Sequence, residues 1–243
     1  MNAPLGQETS LAGSISADWT TLSAAERIRS IAATQSDGLV ATTSFGAQSA
    51  IMLHLLKENA PEIPIIFIDT GYLFPETYQF AEQLIKTWNL DIRTYHPTYS
   101  SARLEALYGK LWEQGDKGAE KYGVITKVEP MDRALKDLGA TSWLSGLRRS
   151  QSSFRAGRHY AEQQKATLKL YPILDWSDGE AADYIKEHDL PKHPLVRQGY
   201  VSIGDWHSTK PMTEGMTAEE TRFDGAKREC GLHLPSEQQD FQI

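Results

Sequence analysis

The sequence predicts a doubly wound α/β nucleotide-binding domain followed by a separate C-terminal arm. Three observations lead there. Short apolar, β-branched runs alternate with stretches of helical spacing, at separations that suit crossovers in a parallel sheet. Two of these runs end in loops, at 44–49 and 69–71, and ligands on parallel sheets bind beyond the carboxyl ends of the strands. Past Leu190 the regular patterns give way to a Pro- and Gly-rich stretch, then to the only cysteine, Cys230.

The first element is a helix over about 23–35: Ser23-Ala24-Ala25-Glu26 is a capping box, followed by Ile28, Ile31 and Ala32 at helical spacing. Gly38-Leu39-Val40-Ala41-Thr42-Thr43 reads as a buried strand. It runs into Ser44-Phe45-Gly46-Ala47-Gln48-Ser49, and helical spacing resumes at Ile51, Leu53, Leu55 and Leu56. Strand, small-residue loop and helix present backbone N–H groups to an anion, although an ordinary βα turn has the same outline. The second strand, 63–68, ends in Asp69-Thr70-Gly71. Pro75 and Glu76 then suit the first turn of a helix to about Trp88. Ile92 to Tyr95 is a third strand.

From 97 to 129 the pattern weakens; Leu104, Leu107, Leu111 and Trp112 have helical spacing, and 115–123 is polar and Gly-rich. Pro130 opens another helix. Ser142-Trp143-Leu144-Ser145 is a fourth strand, from whose end Gly146-Leu147-Arg148-Arg149 emerges over the same cleft. Residues 150–158 read as a basic loop, 167–171 as a fifth strand, and Ser177-Asp178-Gly179-Glu180 as a second capping box. Three units follow: a polar leader at 1–17, an α/β domain at 18–215 and an arm at 216–243.

Composition narrows the function. A hydrophobic content of 40% over 243 residues supports a sizeable core, and no apolar run reaches the ~20 residues that cross a bilayer. The opening MNAPLGQETSLAGS lacks the basic and apolar regions of a secretory signal. A single cysteine rules out an internal disulfide and fits a cytoplasmic setting. The net charge of −7 argues against a general nucleic-acid binder. Local charge runs the other way, with basic knots at Arg148-Arg149, Arg155 with Arg158, and Lys227-Arg228; solvated surface pairs are the alternative reading. Cys230 stands among Lys227, Arg228, Glu229 and His233. The cations favour a thiolate and the glutamate opposes it. A lone cysteine is often an inert core residue. A thiolate beside a guanidinium-rich pocket suits attack on an electrophilic centre within an anion.

The motif Lys227-Arg228-Glu229-Cys230-Gly231-Leu232-His233 resembles the active-site signature of the thioredoxin-dependent phosphoadenylyl-sulfate (PAPS) reductases. So do Ser44-Phe45-Gly46, the run from Asp69-Thr70-Gly71 to Pro75-Glu76-Thr77, Tyr108-Gly109-Lys110-Leu111-Trp112, Lys127-Val128-Glu129-Pro130, and Gly146-Leu147-Arg148-Arg149. Tyr200-Val201-Ser202-Ile203-Gly204-Asp205 and Glu219-Glu220-Thr221-Arg222-Phe223 extend the match, in order, across roughly 38–233. The resemblance implies an adenine-nucleotide α-hydrolase-like, Rossmann-like fold with a five-stranded parallel sheet in the order 3-2-1-4-5, a mobile arm and a homodimer. ATP pyrophosphatases of that fold carry Gly and Asp where this chain has Phe45 and Gln48, which fits a protein that holds a nucleotide without splitting ATP.

The implied reaction has Cys230 attack the PAPS sulfonate sulfur, releasing adenosine 3′,5′-bisphosphate. Reduced thioredoxin, or glutaredoxin, then frees sulfite, in assimilatory sulfate reduction. The resemblance places substrate on Ser44, Phe45, Gly46, Gln48, Asp69, Thr70, Gly71, Lys127, Arg148, Arg149, Arg158, Arg222 and Lys227. Arg228 and His233 assist Cys230, and His207 is a weaker candidate. The sister adenylyl-sulfate (APS) reductases hold an iron–sulfur cluster on paired cysteines before Lys-Val-Glu-Pro and on a Cys-x-x-Cys after Ser-Ile-Gly. Here those places read Tyr122-Gly123 and Asp205-Trp206-His207-Ser208, so no metal and no cluster is expected. A cluster-free APS reductase, an ATP pyrophosphatase and a nucleotide sensor with a structural cysteine are the competing readings.

Overall fold

A computed structural model describes residues 10–222. The expectations for Lys227, Arg228, Cys230 and His233, for the mobile arm beyond Arg222 and for residues 1–9 lie outside the described residues.

Five strands run parallel: β1 (Leu39–Thr43), β2 (Ile65–Ile68), β3 (Ile92–Tyr95), β4 (Ser142–Leu144) and, numbered to leave room for a hairpin partner, β6 (Thr167–Leu170). That partner is β5 (Ala161–Gln164), antiparallel to β6 at the sheet edge, and the full order is β3-β2-β1-β4-β6-β5. The expected 3-2-1-4-5 order holds for the parallel strands; the sheet differs by one additional strand. Ala-Glu-Gln-Gln carries neither the apolar run nor the β-branching of a buried strand. It becomes a strand because a tight turn with Lys165 at φ 50° brings it beside β6.

Helices cover both faces. The period-two alternation of β1 decides which residue goes where. Leu39 and Ala41 join Ile65, Phe67, Leu144 and Leu170 beneath α2 (Ala24–Thr34), α3 (Ser49–Asn59) and α4 (Pro75–Trp88). Val40, Ile66 and Trp143 point the other way, onto Met131 and Ala134 of α7 (Glu129–Asp137). Between β3 and α7 the weakly patterned stretch is helical: α5 (Ser101–Tyr108), then α6 (Gly115–Gly123), then a π-helical turn at Val124–Val128 that leads directly into α7. Gly118 allows this, because a Cβ there would lie 2.3 Å from the Leu111 carbonyl oxygen. After β6, α8 (Asp178–Glu187) starts at the Ser177–Glu180 capping box.

The expected leader is in its described part a helix, α1 (Leu11–Asp18), capped by the Ser10 hydroxyl, which accepts from Gly13 N at 3.2 Å. Its anchor is far away in sequence: Ser16 Oγ accepts from Ala161 N at 3.0 Å and donates to Ala161 O at 3.3 Å. No helix among the described residues is long and apolar enough to cross a membrane.

Candidate active site

The loop after β1 is shaped by one strained residue. Phe45 has φ 48°, a left-handed conformation that costs a non-glycine residue roughly 1–2 kcal/mol. Two things hold it. Thr43 Oγ1 accepts from Phe45 N at 3.2 Å, and the Phe45 ring is buried edge-on against Phe67, 4.9 Å between centroids. With Phe45 turned into the core, Ser44, Gly46, Ala47, Gln48 and Ser49 face a cavity of about 350 Å³. No side chain caps the start of α3, so its positive end borders that cavity.

Gln48 is held by Arg148, which lines the same cavity. Its Oε1 accepts from Arg148 Nη2 at 2.5 Å. Arg148, only 2% exposed, spends its other terminal nitrogen on Ser150 Oγ at 2.9 Å and Asp178 Oδ1 at 2.8 Å. The β4 loop is thereby tied both to the β1 loop and to the start of α8. Gln151 accepts from Arg148 N at 3.1 Å and from the Arg155 guanidinium, which also lines the cavity.

The opposite wall is built by 201–205 and Arg222. Leu73 and Asp205 form an antiparallel bridge, and Trp206 N donates to Tyr72 O at 2.9 Å. Asp205 is fully buried between Lys127 Nζ, 2.5 Å from Oδ2, and the Thr70 hydroxyl, which donates to Oδ1 at 2.6 Å. Burial alone would raise its carboxyl; the charge and hydrogen bond of Lys127, with the Thr70 hydrogen bond, hold it below the usual carboxylate range. Lys127 itself comes from the π-helical turn, a type of helix defect frequent at functional sites. The Arg222 guanidinium lies flat against Gly204, where a Cβ would come within 2.4 Å of Nη2.

The cavity therefore gathers Lys127, Arg148, Arg155 and Arg222, with Ser44, Gly46, Gln48 and Thr70. Phe45 serves it from the core. Asp69 does not line it; its carboxylate closes the turn by accepting from Gly71 N at 2.8 Å and Tyr78 OH at 2.7 Å. Gly71 is likewise set back, at φ 76° beside Ser101. Arg149 turns away, donating to Arg158 O at 2.9 Å and lying over Tyr160. Arg158 pairs with Glu162 at 2.6 Å, and its place at the cavity is taken by Arg155. The sequence offered Arg155 as one of a basic knot; only the path of 150–158 decides which member faces inward. Asp205 appeared within a motif, and its charge role required the fold.

His207 sits behind this wall rather than in it. Its ring stacks on Trp112, 4.0 Å apart and 11° from parallel, among Tyr72, Tyr122 and Trp206. Burial pushes its pKa down to about 4, so it is neutral near pH 7. The two stretches that stand where sister enzymes carry cluster cysteines do meet, as Tyr122 against the 205–208 turn, and an aromatic box fills the space between them. Among the described residues no group of three or more His, Cys, Asp or Glu is disposed to hold a metal ion.

A mostly parallel α/β sheet with a cation-lined cavity at its switch point is the class of fold and site suited to an anionic ligand. The particular family follows from comparison. The family model for the phosphoadenosine phosphosulfate reductase domain matches residues 38–211. A phosphoadenosine 5′-phosphosulfate reductase of Xylella fastidiosa is 51% identical over 213 residues, covering 88% of this chain and 90% of its own length. One from Alteromonas mediterranea is 52% identical over 197 residues, covering 81% and 79%. The crystal structure of the PAPS reductase from Candida auris, a phosphate complex, superposes with a TM-score of 0.73 at 29% identity, covering 86% of this chain and 100% of that one. FMN adenylyltransferase of Candida glabrata, at 15% identity and TM-score 0.57 over 86% of this chain and 76% of that one, shares the fold alone. The chain belongs to the phosphoadenosine phosphosulfate reductase family.

Proposed function

We propose that the cavity binds PAPS and that Cys230 is the nucleophile that reduces it. The chain's activity is the reduction of PAPS to sulfite in sulfate assimilation. The observation that carries the site assignment is the convergence of Lys127, Arg148, Arg155 and Arg222 on one cavity at the end of β1 in a chain of net charge −7. PAPS carries about four negative charges, roughly two of them on its 3′-phosphate. Arg155 and Arg222 bring to the cavity the type of group that meets phosphate and sulfate by bidentate hydrogen bonds. Arg148 is largely spent on Gln48 and Asp178, and acts chiefly by fixing the loop.

In the first step the Cys230 thiolate attacks the sulfonate sulfur. An S–S bond forms, the S–O bond to the nucleotide phosphate breaks, and adenosine 3′,5′-bisphosphate leaves with that electron pair. In the second step a thiolate of reduced thioredoxin or glutaredoxin attacks Cys230 Sγ. Sulfite departs with the electrons of the S–S bond, and the second thiol of the reductant resolves the mixed disulfide. With one cysteine in the chain, the two electrons come from another protein. Arg222 is in the cavity wall, and the eight residues from it to Cys230 span up to ~26 Å, enough to reach the same cavity. Lys227, Arg228 and His233 support the thiolate and meet the incoming sulfonate. A homodimer and a cytoplasmic setting belong to the same reading.

Sulfite release from PAPS and from APS at equal low concentration tests substrate and nucleophile together. The expected result is preference for PAPS, with C230S inactive yet still binding adenosine 3′,5′-bisphosphate. Preference for APS, or turnover by C230S, contradicts the proposal.

A further inference from the structure

Lys127 and Asp205 form a buried pair in the wall of a cavity that binds an anion. The carboxylate is withdrawn from solvent, whereas 12% of the Lys127 side chain remains exposed. The two oxygens of Asp205 have separate duties: Oδ1 accepts from Thr70 Oγ1 at 2.6 Å, and Oδ2 lies 2.5 Å from Lys127 Nζ. Asp205 is itself fixed by the bridge to Leu73 and the neighbouring Trp206 N–H bond to Tyr72 O. Three segments distant in sequence thus converge to hold one ammonium. An ammonium has three N–H donors. The ion pair with Asp205 engages one side of it, and the part of the side chain that stays exposed borders the cavity.

We propose that Asp205 is a positioning residue: it acts on PAPS through Lys127, holding the ammonium at a fixed point on the cavity wall before substrate arrives. Lysine carries several rotatable bonds, and an untethered side chain surrenders that freedom on meeting an anion. A tether removes this cost from binding. The carboxylate also weakens the attraction of the pair for an anion. The inference takes positioning to outweigh that opposing effect, since the carboxylate is withdrawn from solvent and part of the lysine side chain is not.

The inference rests on the reading that Lys127 contacts the substrate, and a double-mutant cycle on kcat/KM for PAPS separates the two. Asparagine can accept from Lys127 and donate to the Thr70 hydroxyl, so D205N keeps the shape of the pair and removes its charge. The expected result is a ~10-fold or greater loss for D205N, the size of one charge-assisted hydrogen bond to substrate. In the K127M background the same substitution changes kcat/KM by less than about twofold. Equal losses in both backgrounds mean a merely structural carboxylate and overturn the inference. So does a D205N enzyme with undiminished kcat/KM. If K127M alone turns over normally, the reading of Lys127 fails first and the inference falls with it. Should D205N not fold, D205S, which adds no bulk at the buried position, gives a loss that is again absent in the K127M background; a loss equal in both backgrounds again overturns the inference.

Discussion

Gly204 shows how closely one residue can be tied to the cavity. The Arg222 guanidinium occupies the space that a Cβ at 204 would need, with Nη2, Cζ and Nη1 all within 2.8 Å of it. The clash is with the far end of a flexible side chain, so G204A leaves the fold intact and pushes the guanidinium out of place. We expect a melting temperature close to that of the parent and a ~10-fold or greater rise in KM for PAPS, the value of one charge-assisted hydrogen bond. A large drop in melting temperature with unchanged KM would mean that Gly204 serves the fold and not Arg222. At this scale the sequence was only half legible. Arg222, Lys127 and Arg148 were identifiable by type and motif. Whether Arg155 or Arg158 faced the cavity depended on a non-regular loop, and Arg158 turned instead to Glu162. Arg149 was drawn away by the Arg158 carbonyl and the Tyr160 ring.

Among elements, the loop between β1 and α3 has the most specific physics. Phe45 trades backbone strain for the burial of its ring against Phe67. F45A keeps the strain and loses the burial, and is expected to cost about 3–5 kcal/mol in denaturant unfolding. F45G loses the same burial and relieves the strain, so it should be more stable than F45A by about 1 kcal/mol. This is the reverse of the usual order of alanine and glycine; an alanine variant more stable than the glycine one would show that the left-handed geometry is not retained. Elements with a local signature were readable beforehand: the Ser23 and Ser177 capping boxes both formed, and the apolar runs became the parallel strands. Those held by distant partners were not. β5 depends on β6, and α1 on a hydrogen bond to Ala161. The helix α6 needs Gly118 to pass the Leu111 carbonyl, which gave its sequence the look of a loop.

For the whole molecule, an acidic chain gathers four of its 25 lysines and arginines at one cavity and backs three of them with partners of different kinds. Arg148 is backed by Asp178 and Gln48, Lys127 by Asp205, and Arg222 by the bare backbone of Gly204. The order of the parallel strands is what the family motifs imply; crossover lengths speak only for their running parallel. The place of the cavity followed from the order, since the loops after β1 and β4 diverge there. Cys230 follows eight residues after Arg222, which lines the cavity. The most direct measurement is mass spectrometry of the protein after mixing with PAPS in the absence of any reductant. The account predicts an increase of about 80 Da, the mass of SO₃, confined to the peptide containing Cys230, with one equivalent of adenosine 3′,5′-bisphosphate released. Nucleotide release with an unmodified Cys230, or an adduct on any other residue, would contradict it.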